Sequence, residues 1–173
     1  MLHNALCITT PDFACLEPLN VFHREAEPWE NHHDASLENR HILFRRTFTL
    51  ESVPEKAILY LTADDYYKLY INGSFVTQGP APGYPFHYYY NTLDITKYLH
   101  KGENLIAVHT YYQGLYNRVW VSADHRQMLC AALYCDGKET LVTDPSWKYA
   151  YHTGYAGTRK FGYDTQFAED FDS

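Results

Sequence analysis

From residue 42 to residue 151 the chain is written as short apolar runs, cut at close intervals by residues that reverse or break a strand. Runs of that length fit strands, whereas a helix that buries a stripe needs roughly 10–12 residues of unbroken period. Residues 42–50 show the pattern plainly. Phe44, Phe48 and Leu50 fall on one face of an extended ribbon, and Arg45, Thr47 and Thr49 on the other. Residues 57–62 (AILYLT) and 66–71 (YYKLYI) follow, and the second run passes straight into Asn72-Gly73 and then Phe75-Val76. Asn-Gly between two such runs predicts a hairpin with a type I′ turn, because both central residues must take positive φ, which costs these two residue types least. Gly79-Pro80-Ala81-Pro82-Gly83 cannot continue a ladder, since each proline lacks an N–H and restrains the residue before it. Beyond that stiff loop, residues 87–91 read as strand, Asp94-Ile95-Thr96 as a short helical turn, and Lys101-Gly102-Glu103 as a tight turn into a strand over 104–112.

Both faces of that last strand are apolar: Ile106, Val108, Thr110 and Tyr112 share one, and Leu105, Ala107, His109 and Tyr111 share the other. Such a strand belongs in the middle of a sheet. Further strands are expected at 118–121, at 127–135, at 139–143 across an Asp136-Gly137 turn, and at 147–151 after Pro145. After Arg40 no segment keeps a helical period. The expected fold is all-β, an antiparallel two-sheet β-sandwich of jelly-roll or related Greek-key topology. The expected organisation is an irregular lead-in over 1–40, interrupted by Pro11, Pro18 and Pro28, then a β-sandwich over 41–160. Residues 161–173, polar and acidic, read as a linker.

Composition agrees with strands and narrows the function. Aromatic residues make up 17% of the 173 residues, with 17 tyrosines, and flat rings pack well on pleated surfaces. A net charge of −7 with scattered Lys and Arg offers no footprint for a phosphate backbone, which argues against nucleic acid. No stretch approaches the roughly 20 apolar residues that span a bilayer, and the first Lys or Arg is Arg24, too late for the charged start of a signal peptide. A cytoplasmic location with no membrane partner is the expectation. Cys7, Cys15, Cys130 and Cys135 match no metal knuckle and read as reduced, mostly buried thiols, with Cys130 and Cys135 on opposite faces of one strand.

Candidate chemistry is sparse. Asp64 and Asp65 are adjacent, and neighbours on a strand diverge, so loop hydrogen bonding is favoured over catalysis; ligation of Ca²⁺ with a backbone oxygen stays open on spacing alone. His32, His33 and Asp34 lack the framework of a zinc site, and neither GxSxG nor a Cys-His signature is present. No catalytic residue, metal or cofactor is expected. The richest feature is aromatic: Tyr84, Phe86, His87, Tyr88, Tyr89 and Tyr90, then Tyr111, Tyr112, Tyr116 and Trp120, interleaved with Gln113, Asn117 and Arg118. Rings can stack on sugar C–H faces while amide and guanidinium groups bond hydroxyls. The same rings can serve as core or as a domain or homo-oligomer interface. Alternation breaks at Gln113-Gly114, so the segment is expected to leave the sheet as an exposed loop. Tyr112, Gln113, Tyr116, Asn117, Arg118 and Trp120 are therefore the candidate carbohydrate-binding residues.

One ordered series of motifs goes further. Residues 63–73 (ADDYYKLYING), Gly79-Pro80, residues 93–99 (LDITKYL) and residues 102–108 (GENLIAV) together resemble the amino-terminal β-sandwich of bacterial α-L-rhamnosidases. A looser form of the series occurs in the galactose-binding-like jelly rolls of β-galactosidase-like enzymes. Thr143-Asp144-Pro145-Ser146-Trp147-Lys148 and the closing Gly162-Tyr163-Asp164 with Glu169 also look like the rhamnosidase family. The resemblance covers about residue 42 to the end. It implies a glycoside hydrolase that cleaves terminal α-L-rhamnosides with inversion, using acids on a following α/α barrel that these 173 residues do not include. This chain would then be a non-catalytic accessory domain, with the catalytic domain of the same polypeptide as its partner and rhamnose-containing glycans as possible contacts. The alternatives are a free-standing carbohydrate-binding module, or an oligomerisation domain of another glycoside hydrolase such as a β-galactosidase-like enzyme.

Overall fold

The computed structural model describes residues 2–19, 34–84, 86–115, 122–155, 157, 159–162 and 166–172. Two antiparallel sheets pack as a sandwich. Their strands are β1 (Arg40–Leu50), β2 (Ala57–Asp64), β3 (Tyr66–Ile71), β4 (Ser74–Gly79), β5 (Asn91–Asp94), β6 (Gly102–Tyr112), β7 (Met128–Cys135), β8 (Lys138–Val142) and β9 (Lys148–Tyr151). One sheet runs β4-β3-β6-β1-β9 and the other β5-β2-β7-β8, while β10 (Lys160–Phe161) and β11 (Gln166–Phe167) form a separate two-stranded ribbon.

Alternation sorts the side chains as the pattern demands. Ile42 and Phe44 of β1, Leu69 and Ile71 of β3, and Ile106 and Val108 of β6 meet Leu59 and Leu61 of β2 and Leu129 and Leu133 of β7 in one core. Each of these side chains contributes about 1.5–3 kcal/mol by leaving water. β6 is the middle strand of its sheet, paired with β1 along its whole length and with β3 on the other side, as its two apolar faces predict.

Turn chemistry fixes the connections. Asn72 (φ 50°) and Gly73 (φ 81°) give the type I′ hairpin between β3 and β4, and Asp136 (φ 50°) with Gly137 (φ 78°) does the same between β7 and β8. The first of these turns is also latched to a second loop. The Asn72 side chain donates to Tyr98 O (2.8 Å) and to Asn104 Oδ1 (2.9 Å), and accepts from Leu105 N (2.8 Å). Asn104, with no exposed surface, donates to His100 O (2.7 Å) and Gly102 O (3.1 Å) and accepts from His100 N (3.0 Å). Two motifs 32 residues apart in the chain thus become one polar knot.

Four expectations are corrected. The strand expected at 87–91 begins only at Asn91, because β5 joins β2 from Leu61↔Asn91 onward and Thr62 Oγ1 takes the Tyr89 carbonyl instead of a ladder bond. The lead-in is not merely draped on the sheet. Ile8 exchanges both backbone hydrogen bonds with Leu129 at 2.9 Å, and Phe13, on a short helix (Pro11–Ala14), is buried edge-on against Tyr112 with centroids 4.9 Å apart. Cys7 and Cys15 are exposed; only Cys130 and Cys135 are buried. Residues beyond 160 carry structure of their own, with the β10–β11 ribbon and a bridge between Tyr155 and Phe171. The strand expected at 118–121 lies outside the described residues.

Candidate functional site

The outer face of the five-stranded sheet is set by register. Pairing places Tyr66 of β3, Tyr111 of β6 and His41 of β1 in one cross-strand row, and Lys68, His109 and Leu43 in the next. Neighbours in such rows stand within side-chain reach. His41 is sandwiched: its ring stacks on Tyr111 at 4.4 Å and under Tyr155 at 3.8 Å with an interplanar angle of 9°. Its Nδ1 lies 3.0 Å from His109 Nε2, and His152 packs against His109 at 5.2 Å.

The segment after β9 forms the second wall. Asn39 Nδ2 donates to Gly157 O (2.7 Å), His152 N to His41 O (2.9 Å) and Ala168 N to Arg159 O (2.7 Å), while Lys160 pairs with Glu38 at 2.9 Å. Gly157 is required by contact, because a Cβ there would stand 2.1 Å from the Ala168 carbonyl oxygen. The third wall is Gln78, Gly79, Pro80 and Ala81 with Asn91, whose Oδ1 accepts from Tyr67 Oη (2.6 Å). Together they enclose a cleft of about 670 Å³, with Phe167, Glu169 and Asp170 at its border.

Burial, followed by the neighbouring His109, His152 and Lys68, holds His41 down at about 3; burial and then His152 and Lys68 hold His109 at about 4. Both imidazoles are therefore neutral near pH 7, one donating to the other. Burial raises the Tyr111 phenol, and raises Tyr66 to about 12 with help from Asp65. The cleft thus offers uncharged stacked rings on its floor and amide, ammonium and carboxylate groups at its rim. That combination suits a ring-shaped polyol, which presents C–H faces and hydroxyl edges.

A second cluster lies where β2 gives way to β3. Asp64 ends β2 and Asp65 lies in the bend before β3, and each carboxyl group has internal partners of its own, the loop hydrogen bonding that the sequence favoured over catalysis. Asp65 Oδ2 accepts from Gln113 N (2.7 Å) and from Ser122 Oγ, and Ser122 Oγ accepts from Gly114 N (2.8 Å). Tyr88 Oη donates to Asp64 Oδ2 (2.7 Å). Burial raises Asp64 well above the carboxylate range, with the adjoining Asp65 next in effect, and burial also raises Asp65 and Asp124. Asp65 works as an internal fastener for Gln113 and Ser122, and through Ser122 for Gly114. Among the described residues no group of three or more His, Cys, Asp or Glu is placed to hold a metal ion.

The sequence-derived candidates divide. Tyr112 is 1% exposed and Gln113 6%, so the exposed loop expected from the broken alternation does not start there: Asp65 and Ser122 draw 113–114 inward, and Tyr112 packs on Phe13. Tyr116, Asn117, Arg118 and Trp120 lie outside the described residues, as do His32 and His33. Of the other rings, Tyr111 lines the cleft, whereas Tyr84, Phe86, Tyr89 and Tyr90 are exposed on the 80–90 loop. His41, Tyr66, Lys68, His109 and Tyr155 were not singled out. The outward-facing His109-x-Tyr111 pair on β6 was the one local signal for them.

Residues 52–172 match the family model of the α-L-rhamnosidase N-terminal domain. Among solved structures the chain is similar to the GH78 family rhamnosidase of Bacillus sp. GL1, at 32% identity and a TM-score of 0.61, over 68% of this chain and 12% of that one. It is similar also to the native α-L-rhamnosidase of Aspergillus terreus, at 27% identity and a TM-score of 0.54, over 70% of this chain and 16% of that one. The α-L-rhamnosidase of Dictyoglumus thermophilum gives 25% identity and a TM-score of 0.50, over 65% and 13%. A search of curated proteins found no match. The chain therefore spans about an eighth of the length of the first enzyme it resembles.

Proposed function

Because the chain belongs to the α-L-rhamnosidase N-terminal domain family, we propose that it is a non-catalytic accessory module that buttresses the catalytic domain of the same polypeptide, in the cytoplasm. The parent enzyme, in this reading, hydrolyses terminal α-L-rhamnosides with acids carried elsewhere. The observation that carries the reading is the commitment of Asp64 and Asp65, the adjacent carboxyl pair singled out in the sequence, to internal hydrogen-bond partners. An inverting glycosidase holds its acid and base roughly 6.5–9.5 Å apart to admit a water, and a retaining one about 5–5.5 Å apart. Two adjacent carboxyl groups committed to Gln113, Ser122 and Tyr88 are not free to flank a glycosidic bond in either arrangement. The test is turnover of an aryl α-L-rhamnoside by this chain alone. None is expected, and sustained hydrolysis would overturn the proposal.

A second reading, favoured by the stacked His41, Tyr111 and Tyr155 rings, is that the cleft holds a sugar of the substrate or of its surroundings. Titration with L-rhamnose and rhamnosylated oligosaccharides, followed by NMR, tests it. Shifts gathered on His41, Lys68, His109 and Tyr111 support contact through the cleft. Shifts confined to residues 112–120 support the sequence-derived candidates instead, and silence leaves the module as pure scaffold.

A further inference from the structure

We propose that Cys7 and Cys130 form a reversible cross-strand disulfide, made by thiol–disulfide exchange with a small-molecule disulfide, which staples the N-terminal segment to β7. The argument starts from register. Ile8 N donates to Leu129 O and Leu129 N to Ile8 O, both at 2.9 Å, so Ile8 and Leu129 are a hydrogen-bonded antiparallel pair. In an antiparallel ladder the next pair outward is not hydrogen-bonded, and here that pair is Cys7 and Cys130. Residues in such pairs have Cα atoms about 4.5 Å apart, within the roughly 4.4–6.8 Å that a disulfide spans.

The surroundings agree. The Cys130 thiol also faces the Ala5 carbonyl at 3.9 Å, so the Cys7 strand crosses directly above it. Thr143 closes the far side: its amide donates to Ala131 O, Leu6 N donates to Thr143 O, and its hydroxyl donates to Leu6 O at 2.7 Å. The two cysteines are thus held opposite each other by backbone bonds on both flanks. Cys7 is exposed and Cys130 buried, so reagent reaches one sulfur and not the other. The neighbouring Cys130 brings the Cys7 thiol down to about 7, and Cys7 in turn raises Cys130. Cys7 is therefore the attacking thiolate.

The chemistry balances as follows. The Cys7 thiolate attacks one sulfur of RSSR, forming a Cys7–SR bond and releasing RS⁻. Cys7 no longer carries the charge that raises its neighbour, and Cys130 loses its proton and attacks Cys7 Sγ, releasing the second RS⁻. Two protein thiols are oxidised by two electrons, and one RSSR is reduced to two RSH, which take up the two protons.

The test uses the whole chain, incubated with oxidised glutathione, quenched by alkylation, and read by intact mass and peptide mapping. The expected product has lost two hydrogens, carries a Cys7–Cys130 cross-link and leaves Cys15 and Cys135 alkylated. Its melting midpoint rises by on the order of 5–10 °C over the reduced form and returns on reduction. Cys15→Ser should retain the cross-link and Cys7→Ser should lose it. A stable glutathione adduct on Cys7, a link between any other two cysteines, or no cross-link in the wild-type chain would each overturn the proposal without recourse to a variant.

Discussion

Replacing Asn104 with alanine should destabilise the protein by about 3 kcal/mol, although the side chain touches no candidate site. The side chain makes four hydrogen bonds: to His100 O and Gly102 O, and from His100 N and Asn72 Nδ2. At about 0.5–1.5 kcal/mol each, their sum is near 4, and loss of the side chain leaves partners wanting. Two features trim the total. Asn72 Nδ2 keeps its bond to Tyr98 O, and His100 and Lys101 are exposed, so water can reach the freed turn. With an unfolding entropy of about 2.1 cal/mol/K per residue, roughly 0.36 kcal/mol/K for 173 residues, 3 kcal/mol corresponds to a midpoint drop of about 8 °C. Calorimetry at neutral pH measures it, with Ser74→Ala on the exposed strand β4 as a control expected within about 1 °C. Asn104→Asp sharpens the test, because a carboxylate facing the His100 and Gly102 carbonyls has no proton to donate; it should be worse than alanine at pH 7 and improve in acid. A drop below about 2 °C for Asn104→Ala would refute the reasoning that the two motifs hold each other.

Two other outcomes follow from the packing and the charges. Phe13→Ala empties the contact with Tyr112 and should cost about 3 kcal/mol, with amide exchange at Ile8 and Leu129 rising most; unchanged exchange there would mean that the N-terminal segment is not anchored by that ring. For His41 and His109, held near 3 and 4 when folded against an ordinary 6.5, the unfolded chain takes up protons first. Their stabilisation is present above pH 6.5 and is lost as pH falls from 6.5 toward 4 and then 3. The raised carboxyls of Asp64, Asp65 and Asp124 act in the opposite sense, so the comparison is wild type against His41→Gln with His109→Gln: the variant's melting midpoint should fall less between pH 6.5 and 4, and parallel curves would sink the assignment.

Strands and tight turns were legible because their causes are local. Asn72-Gly73 and Asp136-Gly137 have positive φ at both residues, and the faces of β1 and β6 divide as their alternation says. What was not legible depends on partners far along the chain. The tyrosines of 87–90 carry strand chemistry, but β2 offers a ladder only from Asn91. Tyr112 and Gln113 read as a departure from the sheet, yet a buried carboxyl at Asp65 and the ring of Phe13 hold them inside. The cleft draws on β1, β3, β4, β6 and the segment after β9, in short pieces such as 66–68, 78–81 and 167–170 that only the fold brings together.

The order of strands also sets a timetable. β1 finds its first partner only in β6, between 52 residues on (Leu50 to Gly102) and 72 residues on (Arg40 to Tyr112). At about 5–20 residues per second, a ribosome leaves that ribbon unpaired for roughly 3–14 s. Its exposed alternate face of Ile42, Phe44 and Phe48 is sticky throughout that wait. Nascent chains of this protein are therefore most vulnerable to clumping just before the β6 residues emerge, and slowing translation after residue 112 should help less than a holdase recruited before it.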